Sequence, residues 1–382
     1  MCMEQHEQIG TSWFDPDFKP SPPEEPYFDT TCGAWILSRY TDVVAALRES
    51  ALHLSSPRGE TFPDGENEME RSRQFAQVRA EIASMGTDKW RTETRNIADR
   101  VICDAIGKQR IDLLGDITLP WCVGILLAMS GADQLYAERI SDIAACLHYK
   151  GAPSATSLRM RPPVRFPLTC RSPFKFDAEA QLDQMLERKE LVLSKPMFHA
   201  ISHTLPSFLA KSWLALLRNP AQALRLRKEP NLIAGAVDEL VRYAGIVHTL
   251  YRKAHSDVAV AGIRVAKGEL LALKVASANF DPARFSDPYQ LDLARKPAGQ
   301  LGLGSGLHAC IGAAMVRYAF AVLTPPFLNA GLILDHNQDI VWLGESTLRR
   351  PLAVYVKLSG LSQSQGLRPQ NAVNEGEPIS EN

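Results

Sequence analysis

The 382-residue chain has no excess of charge of either sign and no hydrophobic run long enough to cross a membrane. Its 42 basic and 43 acidic residues give a formal net charge of −1, so the composition gives no reason to expect nucleic acid or an anionic membrane as a partner. A spanning helix needs about 20 consecutive, mostly apolar residues, and we find no uninterrupted run of that kind. The basic pair Arg349-Arg350 is expected on a solvated face or at an anion contact.

Cysteine is also scarce, and its spacing excludes some kinds of site. The seven cysteines are scattered, with no Cys-x-x-Cys pair, so a zinc ribbon or a dithiol redox site is not expected. Free, dispersed thiols are typical of a reducing compartment. The N-terminal residues 1–7 lack the basic and apolar stretches of a secretion signal. We therefore expect a cytoplasmic protein.

Hydrophobic residues make up 45% of the chain, and their spacing predicts the fold class. Helical periodicity covers Arg71–Ile106, Ile111–Met129, 177–192, Met197–Leu217, 222–227 and 232–243. Alternating patterns predict strands at Ala34–Ser38, within Val258–Lys274 and at Leu352–Leu358. Thr41 or Asp42 is suitable as the cap of the helix after the first strand. The chain is expected to be mainly α with a minor β region.

The domain organisation is expected to be simple. Residues 1–26 are polar and rich in proline, and predict a flexible lead-in. Residues 27–358 are expected to form a single domain, with loops at 55–70 and 150–176. Residues 359–382 are polar and predict a disordered tail.

Cys310 differs from the other cysteines in its surroundings. It follows a glycine-rich stretch and precedes an apolar helical run, 313–320. Near a helix start, backbone N–H groups and the helix dipole stabilise a thiolate. Gly304 and Gly306 allow the backbone to approach a large flat group closely. This arrangement suggests axial ligation of haem iron; the alternative is a free cysteine in a buried turn.

The loop resembles the cysteine-ligand loop of the cytochrome P450 (haem-thiolate monooxygenase) family, which reads Phe-Gly-x-Gly-x-His-x-Cys-x-Gly. Leu303 replaces the aromatic residue, and the other fixed positions match: Gly304, Gly306, His308, Cys310 and Gly312. The resemblance covers roughly residues 30–358 and is weakest over 130–195, where the substrate lid is shortened. It implies a triangular prism of helices around haem b, with Cys310 as the iron ligand and Leu303, Gly304 and Gly306 beside the cofactor.

The resemblance also implies a buried structural network beside this loop. The family has a Glu-x-x-Arg pair on a helix that braces the loop, and Glu239 and Arg242 match it. Their spacing places both side chains on one helix face. The third partner in the family is an arginine or a histidine, whereas this chain has Gln290. Gln290 carries no charge, so we expect an altered network.

Three residues are matched to haem propionate contacts by the resemblance. Arg252 and His308 align with family contacts, and Arg79 is matched to an arginine on an earlier helix. Phe75 occupies the place of the histidine that usually accompanies that arginine. Buried propionates need cationic or hydrogen-bonding partners. The alternative for each arginine is a solvent-facing charge.

The distal helix departs from the family pattern Ala-Gly-x-Asp/Glu-Thr. The matching segment is Ala200–Thr204, in which Ala200 is expected against the haem and Thr204 keeps the alcohol. Ile201 replaces the glycine and His203 replaces the acid. The acid and alcohol supply protons during oxygen activation, and histidine can do so near neutral pH. Pro206 predicts a break in the helix; the alternative for His203 is a structural bond to the backbone.

The predicted function is a haem-thiolate monooxygenase that uses O2 on a small organic, secondary-metabolite substrate. Val247, His248 and Leu250 fall where the family lines its substrate pocket. Electrons would come from NAD(P)H through a reductase and a ferredoxin, because the chain has no flavin or iron–sulfur motif. The shortened lid also fits a bulky or carrier-protein-bound substrate.

Other chemistry on the same fold stays open at this point. It includes peroxide-driven oxidation, oxidative coupling, dehydration and rearrangement. A degenerate member that binds haem without turnover is a further alternative. A plain helical binding protein is disfavoured, because Glu239, Arg242, Arg252 and Cys310 occur in the family's order and spacing.

Overall fold

The computed structural model describes residues 20–60, 68–84, 87–130, 134–149, 177–191, 193–296, 299–335, 340, 342–344 and 347–359. The expectations for residues 1–19, for the loop 150–176 and for residues 360–382 lie outside the described residues. The same holds for residues 61–67 of the expected loop 55–70.

Helices dominate the described residues. The twelve α-helices found there are α1 (Tyr40–Arg48), α2 (Glu68–Ser84), α3 (Asp88–Ile106), α4 (Leu119–Ser130), α5 (Gln134–His148), α6 (Ala178–Glu187), α7 (Lys195–His199), α8 (Leu205–Arg218), α9 (Pro220–Lys228), α10 (Ile233–Ala244), α11 (Val275–Asn279) and α12 (Ala313–Asn329). Two π-helical segments, Leu113–Thr118 and Ala200–Thr204, lead directly into α4 and α8. The mainly α prediction is confirmed.

The strands form small sheets. They are β1 (Tyr27–Asp29), β2 (Ala34–Leu37), β3 (Leu52–Ser55), β4 (Ile111–Asp112), β5 (Leu250–Ala254), β6 (Val258–Val260), β7 (Ile263–Val265), β8 (Leu270–Leu273), β9 (Leu332–Leu334), β10 (Trp342–Gly344), β11 (Arg349–Pro351) and β12 (Tyr355–Leu358). The largest sheet has the order β1-β2-β8-β5-β3, in which only the β2–β8 pair is parallel. It joins the N-terminal strands to those that follow α10.

The first helix begins earlier than the sequence predicts. α1 starts at Tyr40, so Thr41 and Asp42 lie in its first turn and neither is the cap. The Tyr40 N–H instead donates to Asp281 Oδ2 at 2.8 Å. The free N–H groups at a helix start can donate to any suitable oxygen. Here the accepting oxygen belongs to a residue 241 positions away along the chain. Local sequence could not show this cap.

Three predicted segments are divided in the structure. The helix expected over Arg71–Ile106 is two helices, because Thr87 caps α3 by accepting the Trp90 N–H at 3.2 Å. The helix expected from Ile111 begins as strand β4, since Ile111 pairs with Val356 of β12. The strand expected over Leu352–Leu358 is β12 alone, preceded by the separate strand β11.

α8 lies at the centre of the main hydrophobic core. Trp213 is fully buried and stacks on Phe327 of α12, with ring centroids 4.2 Å apart. Its Nε1 donates to Thr324 Oγ1 at 3.2 Å, so the polar atom of this buried ring has a partner. A second apolar cluster lies between α1 and the five-stranded sheet.

One helical stretch of the described residues, Leu113–Ser130, is long and apolar enough to cross a membrane by length and composition. It contains Asp116 and Pro120, and 56% of it is buried inside the protein. Core helices of globular proteins have the same character. α4 packs against α3, α5 and the π-helical segment before it.

The expectation that Arg349 and Arg350 lie on a solvated face is wrong. Arg349 is 7% exposed and Arg350 is 1% exposed. Both belong to β11, which lies against α8. Arg350 Nη1 donates to the carbonyl oxygen of His148, at the end of α5. The burial of two adjacent cations marks this part of the interior as polar.

Candidate functional site

The loop before α12 is held in a tight turn by its glycines. Gly304 and Gly306 both have φ of +72°, a conformation that favours glycine. A Cβ on Gly304 would lie 3.1 Å from the His308 carbonyl oxygen, and one on Gly306 would lie 2.8 Å from the Leu47 carbonyl oxygen. The Cys310 N–H donates to the Leu303 carbonyl at 2.7 Å and closes the turn. Cys310 therefore has a fixed backbone position.

The Cys310 thiol lies three residues before α12 and is accessible from outside the chain. Neighbouring protein atoms nevertheless crowd the sulfur, and their desolvation raises the pKa of the thiol. The Gly312 N–H, which donates to the sulfur, and the charge of Arg317 act in the opposite direction. Metal ligation deprotonates a cysteine, so the accessible sulfur can serve as a thiolate ligand even though the free thiol holds its proton.

Side chains of α10 and α11 fix the segment that leads into this loop. Asn279 Oδ1 accepts the Leu301 N–H at 2.8 Å. Gln300 Oε1 accepts the Leu303 N–H at 3.1 Å, and its Nε2 donates to Asp238 Oδ1 at 3.3 Å. Gly302 is needed here because a Cβ would lie 2.7 Å from Val241 Cγ1. These contacts hold the segment before the turn against α10 and α11.

The predicted pair on α10 is buried and bidentate. Arg242 donates from Nε to Glu239 Oε2 at 2.7 Å and from Nη2 to Glu239 Oε1 at 2.8 Å. Arg242 Nη1 also donates to the carbonyls of Asn279 and Pro288 at 2.9 and 2.8 Å. The same guanidinium thus holds Asn279, whose side chain holds the cysteine loop. The structural role predicted for Glu239 and Arg242 fits this geometry.

The expectation that Gln290 leaves this network without its second cation is wrong. Arg295 fills the place, donating from Nε to Glu239 Oε1 at 3.1 Å. Gln290 takes part through its backbone carbonyl, which accepts from Arg295 Nη2 at 3.1 Å and Arg242 Nη2 at 3.4 Å. The loop after Asp287 folds back, which brings a residue five positions beyond Gln290 onto the same carboxylate. Arg295, and not Gln290, is therefore the third partner of Glu239 and Arg242.

The two arginines matched to haem propionates differ in their surroundings. Arg252 is 1% exposed in the middle of β5, where Nη1 donates to the Tyr251 carbonyl at 2.9 Å. It is therefore not a solvent-facing charge. Arg79 is exposed on α2, because the helix turns the neighbouring Val78 into the core. The propionate contact of Arg79 stays a prediction. His308 is half-buried in the turn before Cys310.

The distal segment Ala200–Thr204 is π-helical, as the helix break predicted from Pro206 suggests. The Ala200 carbonyl accepts the Leu205 N–H, and it also accepts from Thr204 Oγ1 at 3.1 Å. Pro206 has no N–H, so the wider turn leaves fewer carbonyls without a donor. Ile201 is fully buried. The hydroxyl of Thr204 is bonded to its own helix.

His203 and His148 hold this segment against α5 through two reciprocal bonds. His203 Nδ1 lies 2.8 Å from the Leu147 carbonyl oxygen, and His148 Nδ1 lies 3.2 Å from the Ser202 carbonyl oxygen. A carbonyl only accepts, so each Nδ1 carries the proton. Burial, followed by the charge of Arg350, lowers the pKa of His148 well below its usual value. His148 is therefore neutral, and it was not found by sequence reasoning.

Two of the three residues predicted for the substrate pocket line a cavity of about 450 Å³. Val247 and His248 belong to its wall, whereas Leu250 does not. Neither Cys310 nor any residue of Ala200–Thr204 is part of that wall. The family-like substrate pocket of Val247, His248 and Leu250 therefore stays a prediction.

Comparison with known proteins shows which family the chain resembles. No protein-family model matches the chain. Cytochrome P450 CYP107DY1 of Priestia megaterium is 29% identical over 279 residues, which cover 68% of this chain and 67% of the relative. Cytochrome P450-SU2 of Streptomyces griseolus is 27% identical over 323 residues, covering 77% and 79%. The ligand-free P450 monooxygenase TamI superposes with a TM-score of 0.67 at 22% identity, covering 85% and 84%.

The chain is similar in sequence to the cytochrome P450 superfamily and has its fold. These relatives are oxidoreductases of the monooxygenase type, and the cofactor of the superfamily is haem b held by a cysteine thiolate. The described residues fit such a group: the accessible thiol of Cys310, a turn that needs glycine at 304 and 306, and the buried Arg252. Cys310 is the residue that would bind the iron.

Several residues that hold the cysteine loop in place were not predicted from the sequence: Asp238, Asn279, Gln300 and Arg295. Each acts through a contact between segments far apart in sequence, and none belongs to the motif that carries the resemblance. Only Arg295 could have been found from the sequence, because it is a cation five residues after the position matched to the third partner of the family's pair.

Proposed function

We propose that this protein oxidises a small organic substrate, by hydroxylation or a similar reaction, with O2 and electrons delivered by a ferredoxin. NAD(P)H and a ferredoxin reductase would supply that ferredoxin, since the chain has no flavin or iron–sulfur motif. The observation that carries the proposal is the accessible Cys310 thiol on a loop fixed by α10 and α11. We also infer a cytoplasmic location from the scattered cysteines, whose sequence contains no Cys-x-x-Cys pair.

The residues of the chain divide into binding and proton-handling roles. Haem, when bound, supplies the oxygen-activating chemistry. Cys310 binds it as a thiolate, and Glu239, Arg242 and Arg295 hold the loop in place. Arg252 and His308 are proposed to contact the propionates. Leu303, Gly304, Gly306 and Ala200 are proposed to lie beside the haem.

Thr204 and His203 are the proposed proton-handling residues of the distal helix. Because His203 Nδ1 donates to the Leu147 carbonyl, Nε2 of the neutral ring is the atom that can accept a proton. The bond at Nδ1 fixes the ring plane and the tautomer. The Thr204 hydroxyl donates to the Ala200 carbonyl at 3.1 Å and so keeps its lone pairs available as acceptors.

A secondary-metabolite substrate is supported by the proteins that this chain resembles. A solved structure of TamI contains tirandamycin C, and one of P450 RauA contains a biosynthetic intermediate of aurachin RE. P450BioI, with a TM-score of 0.61, is in complex with an acyl carrier protein carrying a fatty acid. For this chain we propose a small biosynthetic intermediate, free or bound to a carrier protein.

A second candidate is chemistry that does not use standard oxygen activation, such as peroxide-driven oxidation, coupling, dehydration or rearrangement. One observation favours it: the alcohol and the histidine of the distal segment are both bonded to backbone carbonyls. Ile201 also fills the position where the family has glycine. The same observation would also fit a family member that binds haem without turnover.

The first experiment is the absorption spectrum of haem-loaded protein, reduced and exposed to carbon monoxide. The long-wavelength Soret band typical of the family is the expected result, and its absence would contradict Cys310 as a thiolate ligand. Substrates that shift the spin state are then turned over with NAD(P)H, reductase and ferredoxin, and separately with hydrogen peroxide. Product only with the ferredoxin system supports monooxygenation, whereas product only with peroxide supports the second candidate.

A further inference from the structure

The cavity that Val247 and His248 line is partly open to solvent and lies at the far end of α8. Its walls come from the C-terminal half of α8, the end of α10, α11 and the strands β10 and β11. Its volume of about 450 Å³ is in the range of small-molecule sites. Among its lining residues, the sequence predicts only Val247 and His248 as pocket residues, because the other walls come from segments spread between Pro20 and Arg349.

Positive charge is concentrated in these walls. Lys211 Nζ donates to the Gly245 carbonyl at 2.8 Å, and Arg349 is 7% exposed beside it. Arg218 lies on the same wall, about two helical turns after Lys211 on α8. No aspartate or glutamate is among the described residues that line the cavity. Arg242 also reaches the wall, but its charge is balanced by Glu239.

The titratable groups in the walls respond to this charge. The pKa of Lys211 is lowered to about 7, first by burial and then by Arg349. The pKa of His248 is lowered well below its usual value by burial and by Lys211, Arg349 and Lys274. A partly enclosed cationic wall concentrates anions. A bound anion would stabilise the protonated form of Lys211.

Aromatic rings complete the walls. The Arg349 guanidinium lies 4.8 Å from the centroid of the Trp342 ring, and Lys211 Nζ lies 5.6 Å from it. Tyr243, Phe280 and Tyr289 add further ring surface. Cations held against aromatic faces offer a ligand both an ion-pair partner and a flat apolar surface.

We propose that this cavity binds a small organic anion, an aromatic carboxylate, with its carboxylate between Lys211 and Arg349 and its ring against Trp342. The site is separate from the haem site. Lys211 is seven residues after Thr204 on the same helix, which corresponds to about 10 Å along its axis. Cys310 does not line the cavity.

The test is calorimetric titration of the haem-loaded protein with 1-naphthoate, with the haem iron capped by imidazole. We expect one-to-one binding that weakens about 10-fold or more in Lys211→Met, since a charge-assisted contact is lost. Lys228→Met, which removes an exposed charge on α9, is the matched control and should bind as the wild type does. The neutral analogue 1-naphthamide should bind at least about 10-fold more weakly.

Each other outcome overturns the proposal. Absence of binding to the wild type excludes the site, and equal binding of 1-naphthoate and 1-naphthamide shows an apolar cavity without anion recognition. Heat that is lost when imidazole is added assigns the ligand to the haem pocket. If Lys211→Met does not fold, Arg349→Gln replaces it, because Arg349 is the other cation of the proposed carboxylate contact. Unchanged affinity in that variant also contradicts the proposal.

Discussion

Around Cys310 the backbone is held by side chains from other elements, whereas in the distal segment Thr204 and His203 are bonded to backbone carbonyls. The cysteine loop donates backbone hydrogen bonds to Asn279 and Gln300, and a triad with two arginines holds Asn279 in turn. Thr204 bonds to a carbonyl of its own π-helical turn, and His203 bonds to a carbonyl of α5. Side chains that fix the backbone are less available for chemistry, so the two regions differ in how far they keep the family pattern.

The two regions should also differ in how much their contacts contribute to the free energy of unfolding. Glu239 accepts four hydrogen bonds from Arg242, Arg295 and the Asp292 N–H, while 3% of its side chain is exposed. Buried charges depend strongly on their partners. The distal contacts are single bonds to carbonyls, each contributing about 1 kcal/mol. Substitutions should therefore have large effects near Cys310 and small effects near His203.

The largest effect is expected from Cys310→Ala. Alanine cannot ligate iron, so the long-wavelength Soret band of the reduced, carbon monoxide-bound protein should disappear completely. Cys103→Ala removes an exposed thiol of α3 and should leave the band unchanged. A persisting band in Cys310→Ala would assign the ligand to another residue.

Glu239→Gln should be the next most damaging change. It leaves the buried Arg242 and the partly buried Arg295 without their anion. The expected cost is about 3–5 kcal/mol in the free energy of unfolding. The measurement is urea denaturation of the wild type and the variant, with haem content determined alongside. Glu229→Gln breaks an exposed pair with Arg225 and should cost less than about 1 kcal/mol. Equal losses in both variants would contradict the buried triad.

Arg295→Gln tests which residue supplies the second cation. It removes one ion pair and several carbonyl contacts, so a loss of about 1–3 kcal/mol is expected. Gln290→Ala keeps its backbone carbonyl and should change stability by less than about 0.5 kcal/mol. The same denaturation experiment compares them, and the reverse order would restore Gln290 as the partner.

His203 is tested by a pair of variants that separates structure from proton transfer. His203→Asn can keep the bond to the Leu147 carbonyl, since its amide nitrogen replaces Nδ1, but it cannot shuttle protons near pH 7. We expect near-wild-type stability with more peroxide released per NAD(P)H. His203→Ala should in addition lose about 1 kcal/mol of stability. Unchanged peroxide release in both variants would give His203 a structural role only.

The smallest effect is a pH dependence at the far end of the distal helix. The folded-state pKa of Lys211, about 7, lies below the usual 10.5, so the unfolded chain binds the extra proton between these values. Stability from this group should rise as pH increases above about 7 and be lost below it. Lys211→Met should therefore raise the melting temperature more at pH 6 than at pH 9. A uniform shift would contradict the lowered pKa.

The predicted residues whose local geometry the structure reproduces share one property. Glu239, Arg242 and Cys310 belong to short motifs whose geometry follows from a helix turn or a glycine turn. Local rules place such residues wherever the segment lies in the fold. Thr204 and the break before Pro206 are of the same kind, because proline alters its own helix.

Contacts between distant segments account for the rest. Arg295 replaces Gln290, Asp281 caps α1 and Asp238 reaches Gln300, and in each case the partners are far apart along the chain. The burial of Arg349 and the exposure of Arg79 depend on which neighbour covers each residue. Sequence by itself determined the helical class, the glycine turn before Cys310 and the Glu239–Arg242 pair on α10, because these follow from local geometry. Only the tertiary structure decided the second cation of the triad, the backbone bonds of His203 and the cationic cavity, because long-range packing selects the partners of a polar group.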